Sequence, residues 1–365
     1  MHAGLRFLMK APEDPDDLPG RIRVVASTTS IKCRAAHKAP WSRNRNMTKQ
    51  VGIIGCGGIA RAHVDGYRAN HAEIVALHDV NAAGAEALKK QKSLNAALYS
   101  DLEDFLNHPG LEAISICTPP VAHEEAATRA LRKNMPVLCE KPLAHSIESG
   151  KRLCEIAAAS EAPLMVGFRH RFLPAINELK SRIDSGDIGN IIWFDNTFCA
   201  PAFGMDKTWF SKRSVAGGGT LMDTSIHSID QFRYLFGDVI DQHCVWHRHF
   251  DDTDVEDASI LTMKSLSGVL GTALASWHAG VAKCTIEVMG TKGRLLYDYE
   301  KPEELKFQPA DGEWQCLETI SSNGFAEEIG VFFEMIDGKR DSTCTAFDGL
   351  RSVEIALSVI REMIE

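Results

Sequence analysis

The sequence predicts an α/β protein built in two parts. A doubly wound parallel sheet comes first, followed by an α/β domain with an open, mainly antiparallel sheet. Three observations carry that prediction. Apolar strands and amphipathic helices alternate from residue 51 to residue 167, the pattern of parallel strands joined by crossover helices. From residue 190 the apolar positions recur every second residue, which suits antiparallel strands with one covered face. The length of 365 residues leaves room for two such domains, each with its own core.

Residues 1–46 stand outside this pattern. They hold 9 basic and 4 acidic residues in a chain of net charge −9, so the other 319 residues carry −14. A body that acidic is a poor match for nucleic acid or an anionic membrane surface. No run of about 18 apolar residues is present to span a bilayer. The expected partner is a small molecule. The stretch from Leu18 to Asn46 has basic residues and no acidic one, as a transit segment has, but Glu13, Asp14, Asp16 and Asp17 depart from that composition. Met47 leads directly into a strand, so residues 1–48 are expected to be a disordered or mis-assigned extension ahead of the natural start. Ten cysteines without a C-x-x-C pair point to a reducing cytoplasm.

The first domain is set at residues 49–168. Val51–Ile54 is a short apolar strand, and Gly55-Cys-Gly57-Gly58-Ile59-Ala60 leads from it into a helix that runs to about Tyr67. Gly55 permits the tight turn and Gly57 lets a pyrophosphate approach the backbone. Ala60 keeps the helix close to the sheet, and its free N–H groups face the phosphates. A second strand from Ile74 ends in Asp79, 22 residues after Gly57. That carboxylate accepts from both adenosine ribose hydroxyls and repels a 2′-phosphate, so NAD is favoured over NADP.

The alternation continues with a helix capped by Asp101 and a strand over Ala113–Cys117, which Thr118-Pro119-Pro120 breaks. A helix follows over Val121–Asn134, then a strand from Pro136 to Cys139 that ends in Glu140-Lys141-Pro142. A helix over Ser146–Ser160 and a last strand, Leu164–Gly167, complete the domain. Ligands of such sheets bind beyond the carboxyl ends of the strands, where the glycine turn, Asp79, Thr118–Pro120 and Glu140–Pro142 all fall. Lys141 there is either a solvated loop lysine or an ammonium aimed into the crevice. Its bond to Pro142 is a candidate cis peptide.

The second domain, residues 169–365, opens with Arg169, His170 and Arg171 near the crevice, where one of them meets substrate hydroxyls or forms a surface ion pair. Gly217-Gly-Gly-Thr220-Leu-Met-Asp223-Thr-Ser-Ile-His227 reads as a flexible lead into a helix. Thr220 and Asp223 fit a capping box. Asp223 and His227 are also four apart on one helix face, where a carboxylate orients an imidazole. Strands are expected over 191–198, 240–249, 258–263, 271–277 and 285–289, covered by helices over 175–185, 325–336 and 345–364. The last of these is a candidate to pack back toward the first domain. His243, His247 and His249 share a strand face, but no carboxylate or Cys joins them there, so a wet sheet face or subunit contact is expected and no metal.

The glycine turn, Thr118-Pro-Pro with His123, Glu140-Lys141-Pro142, Gly167-Phe-Arg-His-Arg171-Phe, and Gly217-Gly-Gly with Asp223-x-x-x-His227 occur in one order over residues 49–365. In this the sequence resembles the glucose–fructose oxidoreductase/inositol dehydrogenase (Gfo/Idh/MocA) family. Two positions depart from the family pattern: Ser225 where Gly is usual, and Phe210 where Arg follows Trp209. The resemblance implies a Rossmann domain, a second domain that forms dimers or tetramers through its sheet, and NAD(P)-linked chemistry on a sugar or polyol. It implies a catalytic set of Lys141, Asp223 and His227. It further implies cofactor contacts at Gly55, Gly57, Gly58, Ile59, Ala60, Asp79, Thr118, Pro119, His123, Glu140 and Lys141. Substrate contacts are expected at Arg169, Trp209, Asp223 and His227.

The expected function is therefore NAD-dependent hydride transfer at a secondary alcohol or ketone of a sugar, cyclitol or sugar derivative. His227 can take the hydroxyl proton and Lys141 can stabilise the alkoxide, with Asp223 holding one or both in position and the formal base being open between them. Two alternatives are an NAD-dependent glycosidase with transient oxidation and a non-catalytic sugar or NAD sensor of the same fold.

Overall fold

The computed structural model describes residues 48–202, 204–341 and 343–362. The expectations for the amino-terminal extension fall outside these residues, Thr48 apart.

The first sheet contains β1 (Gln50–Ile54), β2 (Glu73–His78), β3 (Ala97–Tyr99), β4 (Ala113–Ile116), β5 (Val137–Glu140) and β6 (Leu164–Gly167). All pairs are parallel and the order is β3-β2-β1-β4-β5-β6. The helices between them are α1 (Ala60–Ala69), α2 (Ala82–Gln91), α3 (Leu102–Leu106), α4 (His123–Arg132) and α5 (Ile147–Ala159). β4 and β5 are buried at every residue, as strands covered on both faces must be, which is why they read as unbroken apolar runs. Asp101 accepts from the Glu103 and Asp104 amides to start α3, and Ser146 accepts from the Ser149 amide to start α5. The chain reverses its direction of travel across the sheet between β1 and β4, the switch point at whose carboxyl ends sheets of this kind bind their ligands.

The second half follows α6 (Pro174–Asp184) with β7 (Ile191–Pro201), then three helices, α7 (Arg213–Ala216), α8 (Thr220–Asp223) and α9 (Ser225–Phe236). Next come β8 (Val239–His247), β9 (Ala258–Ser265), β10 (Leu270–Ser276), β11 (His278–Gly290), β12 (Gly293–Asp298), β13 (Glu304–Pro309) and β14 (Gln315–Glu318). Their order is β14-β13-β12-β11-β7-β10-β9-β8, and only the β10–β7 pair is parallel among the described residues. One face is covered by α9. Phe194 of β7 meets Phe232 and Phe236 edge to face, with ring centroids 5.5 and 5.7 Å apart. Burying side chains of this size contributes about 1.5–3 kcal/mol each.

Two terminal helices, α10 (Phe325–Ile336) and α11 (Ala346–Glu362), return to the first domain. Asn70, just past α1, donates to the Ala326 carbonyl at 2.8 Å, and Gly66 faces Ile329 and Phe325. α11 lies on α5 and β6, where the Val166 amide donates to the Cys344 carbonyl at 2.7 Å.

The sequence reading contains no strand at β3, β12, β13 or β14. β3 is only three residues long, and the alternation of β13 is blurred because most of its residues are half-buried. The expected helix after Gly217–Gly219 is interrupted: α8 ends at Asp223 and α9 begins at Ser225. Among the described residues no helix is long and apolar enough to cross a membrane.

Candidate active site

The turn after β1 has the geometry that a dinucleotide needs. Gly55 sits at φ +86°, and a Cβ there would lie 2.7 Å from the Cys117 and Thr118 backbone. Gly57 has no heavy atom within 4 Å of a Cβ position, so the turn is open on the side from which a pyrophosphate approaches the first turn of α1. Gly58 and Ile59 are exposed in the same turn, while Ala60 is fully buried under the helix. Asp79 follows β2 directly. Its Oδ2 accepts from the Cys56 amide at 2.7 Å and its Oδ1 from the Asn81 amide at 2.8 Å. Each oxygen retains a lone pair for a ribose hydroxyl. Thr118 Oγ1 is buried without a partner, an unspent polar atom ahead of Pro119. These residues fit NAD.

Two expected cofactor contacts have other work. His123 is fully buried at the start of α4, with Nε2 2.8 Å from the Thr118 carbonyl and Nδ1 3.0 Å from the Pro142 carbonyl. It braces the loops after β4 and β5 against each other. Burial holds its pKa below the ordinary imidazole value, so the neutral ring donates to one carbonyl at a time. Glu140 also points inward. Its Oε1 meets His63 Nε2 at 2.8 Å and its Oε2 accepts from the Lys141 amide at 3.1 Å. Burial raises its pKa, but the His63 hydrogen bond and charge, with the Lys141 ammonium, outweigh that and hold it low. His63 continues to Ser115 and Tyr67, an internal polar chain behind the crevice. Both residues therefore position the loops around Lys141.

The Lys141–Pro142 peptide is cis. Lys141 Nζ leaves the end of β5 and reaches the second domain, donating to the Asp223 carbonyl at 2.7 Å and to Asp223 Oδ1 at 3.2 Å. Asp223 Oδ2 accepts from Trp277 Nε1 at 3.3 Å and from Thr224 Oγ1 at 3.1 Å. Asp223 is thus a fixed acceptor for the lysine and caps no helix. Thr220 Oγ1 instead bonds Ser259, so the capping-box expectation fails. No hydrogen bond joins Asp223 to His227 among the described residues. The break at Thr224 removes the helical geometry that would have paired them.

His227 is oriented by rings. His170 stacks on it with centroids 4.1 Å apart and an interplanar angle of 18°, and Phe168 meets it edge-on at 6.3 Å. Nδ1 of both histidines is buried without a partner. Burial, then the His170 ring and the Lys141 and Arg169 charges, hold the His227 pKa well below the ordinary 6.5, so the imidazole is neutral.

The Gly217–Gly219 run serves close packing where flexibility was expected. A Cβ on Gly219 would fall 1.6 Å from the Glu256 carbonyl oxygen. Glu256 Oε1 accepts from the Gly219 and Leu221 amides at 3.0 and 2.9 Å, capping α8 from outside. Arg171 is buried in a two-pronged pair with Asp230, so its guanidinium is engaged inside the fold. Arg169 donates to the Asn323 carbonyl at 2.7 Å and lies over the Phe325 ring. Trp209 stacks on Phe210 at 3.7 Å. Trp277, Glu256 and His63 were absent from the sequence expectations for the site, and the stacking of His170 on His227 was not among them. Each acts across a long sequence separation that no local pattern records.

A dinucleotide turn, an acid at the end of β2, and a lysine held against the second domain define an NAD-binding oxidoreductase. The comparisons agree. Residues 49–168 match the model of the oxidoreductase family NAD-binding Rossmann fold, and residues 176–296 match the GFO/IDH/MocA C-terminal domain. The chain belongs to the GFO/IDH/MocA family of oxidoreductases. It is 28% identical to a 1,5-anhydro-D-fructose reductase from Ensifer adhaerens, over 85% of this chain and 95% of that one. It is 26% identical to an inositol 2-dehydrogenase from Rhizobium meliloti, over 87% and 98%. A solved levoglucosan dehydrogenase in complex with NADH superposes with a TM-score of 0.80 at 23% identity, over 86% of this chain and 96% of that one.

Proposed function

We propose that the chain transfers hydride between NAD and a secondary alcohol or ketone of a cyclic sugar, cyclitol or sugar derivative. The observation that carries this reading is the meeting of Lys141 Nζ with Asp223, a cation from the first domain beside a carboxylate of the second at the ligand edge of the sheet. Bound NAD supplies the hydride acceptor. His227, neutral in its ring stack, takes the hydroxyl proton as the alcohol is oxidised. Lys141 donates to the oxygen as negative charge develops, and Asp223, held by Trp277 and Thr224, keeps that ammonium aimed. Arg169 and Trp209 are the proposed substrate contacts of the second domain. The names of the relatives, an inositol dehydrogenase and an anhydrofructose reductase, support a polyhydroxylated ring as substrate.

The test is to mix the protein with NAD and a panel of cyclitols, aldoses and sugar acids and to follow NADH absorbance. NADH is expected with at least one cyclic polyol. Glycoside cleavage without net NADH would favour transient oxidation instead.

The NAD preference rests on Asp79. Asp79→Ala is expected to raise the NADP:NAD ratio of kcat/KM by about tenfold or more, because a like-charge repulsion at the 2′ position is removed. A wild-type protein that uses NADP equally well would contradict the assignment.

The proposed assembly is a cytoplasmic homo-oligomer through the open face of the second sheet. Val245 of β8 lies opposite Ile260 of β9, which lies opposite Leu274 of β10, and Val245 and Ile260 are 74% and 47% exposed. Such an apolar row calls for a partner. Ile260→Asp is expected to sediment as a smaller species than the wild type; an unchanged mass would place any interface elsewhere.

A further inference from the structure

We propose that His249, Asp257 and His278 form a binding site for one divalent transition-metal cation, with Zn²⁺ as the reference ion. The sequence reading found no carboxylate on the strand face of His243, His247 and His249. The fold supplies one from elsewhere: the chain turns after β8, and Asp257, immediately before β9, comes back against His249, while His278 arrives at the start of β11. One nitrogen or oxygen from each of the three residues lies within 4.8 Å of the other two. His249 Nδ1 is 2.9 Å from Asp257 Oδ1, and His278 Nε2 lies on the Oδ2 side of the same carboxylate at 3.5 Å. Ligands bound at about 2.0–2.2 Å to a tetrahedral or octahedral ion are separated by about 2.9–3.5 Å, so Oδ1 and His249 Nδ1 suit neighbouring positions on one ion.

Three features favour an ion over a simple hydrogen-bonded pin. Asp257 is fully buried, and its ion-pair partners among the described residues are His249 and His278, so no Lys or Arg side chain is paired with the carboxylate. The carboxylate is oriented in advance, because Oδ2 accepts from the His249 and Phe250 amides at 2.7 and 2.8 Å. The two histidine side chains are 46% and 33% exposed, which leaves a path for an ion and for water to complete its coordination. The cation would lock the turn between β8 and β9 to the start of β11. Trp277, which holds Asp223, donates its amide to the Asp257 carbonyl at 2.9 Å and borders this junction.

The experiment uses the full-length, tag-free protein, treated with a chelator and dialysed. Zn²⁺ is titrated by calorimetry and Co²⁺ by visible absorbance. One equivalent is expected at micromolar affinity or tighter, with a ligand-field band for Co²⁺. His249→Ala and His278→Ala are each expected to weaken binding by at least about tenfold. His278→Gln, which keeps the bulk and polarity, guards against misfolding and is expected to lose affinity while its circular dichroism stays that of the wild type. Absence of saturable one-to-one binding would overturn the proposal, as would binding equal in wild type, His249→Ala and His278→Gln.

Discussion

Lys141→Ala is expected to lower kcat by about 10²–10⁴-fold while NADH still binds with near wild-type affinity. The expectation follows from where the ammonium is spent. Its two hydrogen bonds within the protein go to Asp223, a residue of the opposite domain, and not to the nucleotide turn. Removing it takes away the positive charge available to a developing alkoxide. The rest of the site stays in place: Asp223 keeps Trp277 and Thr224, and Glu140 keeps His63. Steady-state turnover and a fluorescence titration with NADH separate the two effects. Turnover within a few-fold of the wild type would make Lys141 a structural link between domains and nothing more.

The second large effect concerns stability. Asp230→Ala is expected to cost about 3–5 kcal/mol in denaturant unfolding, since it strands a buried guanidinium. Arg171 donates to both oxygens of Asp230 at 2.7 and 2.5 Å, and Asp230 is only 1% exposed. Asp348, at 3.5 Å from Arg171, is a second carboxylate that can soften the loss. The pair also matters for chemistry at one remove. Arg171 adjoins His170, the ring stacked on His227, and Asp230 lies one helical turn beyond His227 on α9. A loss below about 1 kcal/mol would show that the site rearranges to neutralise the arginine.

What was legible in the sequence is what local pattern records. The strand–glycine turn–helix, the acid after β2 and, β3 apart, the alternation through β6 are short-range features, and each appears where periodicity places it. Lys141 was legible as a candidate because a strand end is a place in the fold. The partners of these residues were not legible. Asp223 was expected to hold His227, Lys141 or both, with the four-residue helix spacing favouring His227; the structure breaks the helix at Thr224 and turns the carboxylate to Lys141 and Trp277. The family resemblance implied cofactor contacts at Glu140 and His123, and it did not reveal that their side chains bond His63 and two loop carbonyls. The glycines before α8 looked flexible, whereas Gly219 is fixed by the Glu256 backbone 37 residues later. In each case tertiary contact decided a role that residue type and spacing left open. The same holds for Asp257, which no strand periodicity could bring to His249.

The central claim is that a lysine of the first domain and a histidine of the second act on one bound alcohol. A kinetic cycle over wild type, Lys141→Ala, His227→Ala and the double variant, read as kcat for NADH formation, tests it most directly. Groups that work on the same oxygen and its proton are strongly non-additive, so the double variant is predicted to fall within about tenfold of the worse single one. A double variant that loses the full product of the two single effects would place the residues in separate functions and contradict the account.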